Sequence, residues 1–124
     1  MSSGIGWRPG DATDIHDHTK SEAGVHVYRG EIYEHVYSPQ GAMLVDKPFH
    51  CQRFDREAYQ GSTLTIPMPY IHRMGNNAYD GVAISIHAYL PALRKMLLYE
   101  EADRIGDDCQ LRVISEWLDD TEAA

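Results

Sequence analysis

Apolar and polar positions along this chain mostly alternate in short runs, the period of half-buried β-strands. The clearest run is Val82-Ala83-Ile84-Ser85-Ile86-His87-Ala88-Tyr89-Leu90. Val82, Ile84, Ile86, Ala88 and Leu90 share one face, and Ala83, Ser85, His87 and Tyr89 share the other. Further strands are predicted over residues 24–28 and 31–37, joined by a hairpin turn at Arg29-Gly30. After a turn at Ser38-Pro39-Gln40-Gly41, strands are predicted over 42–45, 49–54 and 63–66. Residues 1–13 read as a lead-in containing Gly and Pro, and 75–81 as a loop. Many short, evenly spaced strands predict an all-β barrel or sandwich. After Pro91 the period changes. Leu93, Met96, Leu97 and Tyr99 recur at helical spacing, which predicts a helical tail over about 91–118, with 109–118 readable as a helix or a final strand. With 124 residues and no internal repeat, one domain is expected over 1–124, its barrel spanning about 7–90.

Chemistry-bearing residues sit on this pattern in two groups. His16 and His18 flank Asp17, and residues two apart on a strand point the same way, so both imidazoles suit one metal ion. Taken alone, the pair would equally suit a polar surface strand. His72, at the end of the Pro-punctuated apolar run 64–71, offers a third ligand from a distant strand. Three neutral imidazoles leave about three open positions on an octahedral metal. The second group is Ser85, His87 and Tyr89. In a row on one uncharged strand face they can pass a hydrogen bond from hydroxyl to imidazole to phenol, and such a face lines a cavity better than it faces bulk water. Glu22 reads as a solvated carboxylate beside the site. His26, between Val25 and Val27, faces away from it. His35 and His50 read as surface or structural histidines, and Tyr28, Tyr33, Tyr37 and Tyr59 as packing residues.

Composition narrows the function classes. A formal charge of −8 with scattered Lys and Arg excludes a nucleic-acid binder. No apolar run approaches the roughly 20 residues needed to span a bilayer, and the N-terminus has no apolar signal core. Cys51 and Cys109 are too few for a disulfide framework and read as buried small apolar residues, which makes a cytoplasmic location the expectation.

The run Ile15-His16-Asp17-His18-Thr19-Lys20-Ser21 resembles the cysteine dioxygenase family of cupins. So do Ile71-His72-Arg73-Met74 and Ser85-Ile86-His87-Ala88-Tyr89-Leu90-Pro91, with the spacing between motifs kept over about 7–101. The resemblance implies a cupin barrel in which His16, His18 and His72 bind one iron(II), Tyr89 is the active-site tyrosine, and O₂ is the co-substrate. The cysteine that vertebrate-type members cross-link to the tyrosine is matched by Ala23, so no cross-link can form, and bacterial members commonly carry such a small residue there. The family also carries a substrate-carboxylate arginine on a strand upstream of the first motif. His16 lies fifteen residues after Met1, so that strand is expected to be missing. Alternation from Ala23 through Val25 and Val27 offers Arg29 as a replacement anchor, with Arg53 and Arg73 behind it.

The implied activity is oxidation of a small, cysteine-like thiol to a sulfinate, with Tyr89 oriented by His87 and Ser85. Two alternatives stand beside it. One is a related iron oxygenase that carries a cysteine-derived thiol on to decarboxylation or carbon-bond cleavage. The other is a cupin that binds a metal or small molecule without catalysis. A core without its front strands would leave an edge or apolar face open, so a homodimer is expected.

Overall fold

A computed structural model describes residues 2–41, 47–67 and 70–119. The described residues form ten strands and no helix: β1 (Ser2–Trp7), β2 (Ile15–His16), β3 (Glu22–Arg29), β4 (Glu31–Pro39), β5 (Phe49–Tyr59), β6 (Thr63–Ile66), β7 (Ile71–Gly75), β8 (Ala83–Leu90), β9 (Lys95–Ile105) and β10 (Asp108–Leu118). Strands β1-β8-β3-β6 make a four-stranded sheet, and β10-β5-β4-β7-β2-β9 close into a barrel. Every pairing is antiparallel.

Two apolar clusters hold the fold. In β3 the alternation buries Ala23, Val25 and Val27, and these pack with Trp7, Ile66 and Ala83 of the same sheet against Ile32, Ala58 and Met74 of the barrel. Val25 and Val27 are fully buried, and each such side chain contributes about 1.5–3 kcal/mol relative to exposure. The second cluster joins Ile15, Tyr37, Phe49, Ile71, Tyr99 and Leu111, with Cys51 and Cys109 buried among them as free thiols.

The all-β barrel is as expected, but three local readings are corrected. The helical tail over 91–118 is instead the long hairpin of β9 and β10, two walls of the barrel. Its pairing carries register shifts at Gln110/Leu111 and Val113/Ser115, and the second, which leaves Ile114 unpaired, breaks the two-residue period of β10 between Leu111 and Leu118. Its turn is Gly106-Asp107, with Gly106 at φ +62, a two-residue hairpin signal. Residues 2–7 are a strand rather than a lead-in, pairing from Ser2↔Ala88 to Trp7↔Ala83, so a strand does precede the first motif and covers one edge of β8, although it carries no arginine. Arg29-Gly30 is not a hairpin turn. β3 pairs with β6 and β8, β4 with β5 and β7, so the chain crosses there from the sheet to the barrel. Gly30 makes the corner at φ +76, and a Cβ there would stand 3.0 Å from the Ala83 backbone. The strand expected over 42–45 lies outside the described residues.

Candidate metal centre

β2 is only two residues long, yet it fixes the centre. Ile15 enters the second core opposite Tyr99, while His16 pairs with His72 of β7 across the ladder. His18 follows just beyond the strand, and Asp17 is the reason it stays in place. Asp17 is buried and accepts from the Tyr99 hydroxyl (2.8 Å) and the Leu97 backbone N–H (3.0 Å), both on β9. It also accepts from the backbone N–H and hydroxyl of Thr19, both at 3.2 Å. Thr19 is left-handed, at φ +52, and the turn it makes carries His18 back over the site.

The three imidazoles meet. Ligand atoms of His16, His18 and His72 all lie within 4.8 Å of one another, and all three rings are buried. Nε2 of His18 and Nε2 of His72 are 3.4 Å apart, a gap that two metal–imidazole bonds of about 2.0–2.1 Å can bridge. Burial, and then the neighbouring His72, push His16 down to about 4 and His18 down to about 3. Both are therefore neutral near pH 7 with a lone pair to donate. The other ring nitrogens settle the tautomers. His16 Nδ1–H donates to the Asp14 carbonyl at 2.7 Å, and His72 Nδ1–H donates to Glu34 Oε2 at 2.6 Å. In both rings Nε2 is left free to bind. The residues present thus fit a metal ion held by three nitrogens.

Beside this cluster β8 turns Ala83, Ser85 and His87 inward, so the polar face does line the interior. Ser85 Oγ and His87 Nε2 are 2.7 Å apart, and burial, then His72, push His87 down to about 4. Tyr89 stands edge-on to His18, with ring centres 5.1 Å apart, and burial raises its phenol. The relay differs from the expected order. Among the described residues no hydrogen bond joins Tyr89 to His87, and the chain of bonds runs the other way, from Trp7 Nε1–H to Ser85 Oγ at 2.8 Å.

The family model of cysteine dioxygenase type I matches residues 3–102. The chain belongs to that family. Among solved structures its cupin-like fold is similar to Peruvianin-I, a cysteine peptidase from Thevetia peruviana latex, at 20% identity over 71% of this chain and 48% of that one, with a TM-score of 0.57. Drosophila melanogaster CENP-C gives 12% identity, 72% and 57% coverage and a TM-score of 0.57. A recombinant oxalate oxidase in complex with glycolate gives 17%, 71% and 40%, and 0.54. At such identities the likeness is one of fold alone. The chain spans about half the length of the first of these structures, 48%.

Within this cysteine dioxygenase frame, Ala23 lies directly across the ladder from Tyr89, the position a side chain would need in order to cross-link to it. Its methyl offers no sulfur. Arg29 is not brought to the site. A register shift separates it from Val27, it is exposed, and it pairs with Ile84. Ile84 is five residues from Tyr89, roughly 16 Å along the strand. The bulge defeats the alternation that nominated it. Arg53 is occupied by Asp55, and Arg73 by the Thr13 carbonyl. Glu22 is exposed and outside the cluster. His26 bonds Thr63, His35 bonds Asp55 and His50 pairs with Asp108, all away from the centre.

Sequence reasoning missed three supporting residues. Asp17 and Trp7 left no local signal of their partners. Glu34 did leave one, a carboxylate on the same strand face as Ile32. It is 1% exposed, with Oε2 on His72 and Oε1 on Arg56. Burial alone would raise this carboxyl, but the bonds from His72 and Arg56 outweigh it and hold it below the ordinary range.

Proposed function

We propose that this protein is an iron(II)-dependent thiol dioxygenase that adds both atoms of O₂ to the sulfur of a small, cysteine-like thiol: R–SH + O₂ → R–SO₂H. The observation that carries the reading is the convergence of three buried imidazoles, His16 and His18 held neutral by burial, in a chain of the cysteine dioxygenase family. Iron(II), when bound, supplies open positions and redox chemistry for a thiolate and O₂. Three imidazole ligands, with no carboxylate among them, suit a substrate that brings its own anionic sulfur.

The chain's own residues do the rest. Tyr89 keeps its proton, because burial raises the phenol, and so serves as a hydrogen-bond donor beside His18. Ser85 and Trp7 fix the His87 ring next to it. A cleft of about 390 Å³ is lined by His18 and Ser21, and carries Lys20, Arg94 and Lys95. Lys20 beside a ligand histidine, in a cleft that also carries Arg94 and the Glu116-paired Lys95, suits a thiol that bears a carboxylate. The setting we assign is cytoplasmic, with a small molecule as the partner.

The test is oxygen uptake by the iron-loaded protein across a panel of thiols, with mass analysis of the products. Thiol-dependent uptake with two oxygen atoms gained per sulfur is expected. Carbon dioxide release or a cleaved carbon skeleton would transfer the protein to the further-oxidising class, and no thiol-dependent uptake at all would refute catalysis of this kind.

A further inference from the structure

The three metal-facing histidines are held in three different ways. His16 is backed by a neutral backbone carbonyl. His18 Nδ1 is buried with no partner. His72 is backed by a carboxylate, and that carboxylate is itself clamped by a guanidinium. The strands build this asymmetry. On β4, Glu34 lies directly opposite Arg56 of β5 and opposite Met74 of β7, two residues from His72. Glu34 is 1% exposed, whereas the Arg56 side chain is 37% exposed.

We propose that Glu34 is a positioning residue for the metal centre, fixing the His72 ring with Nδ1 protonated and making His72 the strongest donor of the three ligands. An N–H donated to a carboxylate polarises the imidazole more than one donated to a carbonyl, and far more than one with no acceptor. Arg56 sets how far this goes. It draws charge from the same carboxylate, so it moderates the electron density that reaches His72. An ion pair serving the fold alone would need no contact with a ligand histidine, and a well-packed apolar pair could replace it at little cost. Here one oxygen is spent on Arg56 and the other on the ligand.

This inference rests on the metal-site reading above, and its test separates the two. Iron(II) affinity is measured anaerobically against a chelator, and the Fe(III)/Fe(II) potential of the loaded protein by redox titration. Wild type, Glu34→Gln, Arg56→Gln and His72→Ala are compared. Glu34→Gln is expected to weaken iron(II) binding by about 10–100-fold and to move the potential positive. Arg56→Gln is expected to move the potential the opposite way, because it removes the moderating charge and leaves the carboxylate in place.

A merely structural salt bridge would shift the melting of the apoprotein in both variants, without opposite movements of the potential. Potentials that do not move, or that move in the same direction, overturn the proposal. Should Glu34→Gln fail to fold, Arg56→Gln decides alone, since its side chain reaches solvent: a potential that does not fall refutes the role given to Glu34. Full iron binding by His72→Ala would instead remove the metal site itself.

Discussion

Asp17→Ala separates the anchoring of the two neighbouring histidines from their chemistry. Asp17 sits between two ligands but spends its carboxylate on β9. Removing it strands two donors, the buried Tyr99 hydroxyl and the Leu97 N–H, which otherwise reach it at 2.8 Å and 3.0 Å. A buried donor left unpaired costs about 1–3 kcal/mol, so the pair predicts a loss of about 2–6 kcal/mol. Against a typical domain stability of about 5–15 kcal/mol this is large. Thr19 also loses both bonds that stabilise its left-handed turn. Such strain is of order 1–3 kcal/mol, so the turn relaxes and His18 moves with it. Equilibrium urea unfolding of the apoprotein should therefore show a lower midpoint at unchanged slope, and iron(II) affinity should fall as well. Asp17→Asn keeps an acceptor for Leu97 and offers Tyr99 an amide to accept from, so its loss should be nearer about 1 kcal/mol. Asp17→Ala with less than about 1 kcal/mol of destabilisation and unchanged iron affinity would refute the view that this carboxylate holds the site to β9.

Tyr89→Phe should keep fold and metal while slowing turnover by about 10²–10⁴-fold, and His87→Asn should act in the same direction but more weakly; steady-state oxygen uptake that matches wild type in Tyr89→Phe would place the phenol outside the mechanism. Lys20→Ala should raise KM for cysteine more than for cysteamine, which lacks the carboxylate, while Arg29→Ala should change neither, since it sits roughly 16 Å along the sheet from Tyr89; equal effects on both thiols would show that the cleft does not hold a carboxylate. We also propose a homodimer through the outer face of the four-stranded sheet, where Gly4, Gly6, Gly24, Ile86 and Ala88 form an uncharged strip between Glu22 and His26; a monomer by light scattering at micromolar concentration would contradict it.

What could be read from the sequence follows from the range of each interaction. Ser85 and His87 announce themselves because a two-residue period is local, and the structure keeps them on the face that period assigns, whereas His18 lies beyond the end of β2 and reaches the centre through a turn rather than through strand alternation with His16. His72 could be joined to them because an antiparallel barrel must return a distant strand to the first. The same period fails where a bulge interrupts it. The shift after Val27 carries Arg29 out of the interior register, and the two shifts in the β9–β10 pairing, at Ala102 of β9 and Ile114 of β10, help disguise two barrel walls as a helical tail.

The supporting residues were hidden for a different reason, namely that their partners lie far away along the chain. Trp7 reaches Ser85 across 78 positions, Asp17 reaches Leu97 across 80, and Glu34 reaches His72 across 38. Only the closed barrel and its covering sheet create those contacts. A carboxylate among inward-facing residues is nevertheless a signal with a physical basis, because burying a charge is costly unless partners are waiting. Glu34 in register with Ile32 carried that signal, and its partners turn out to be one cation and one ligand histidine. The ligand positions thus record which chemistry is possible. The buried acidic residues Asp17 and Glu34 record how firmly, and how unequally, its histidines are held.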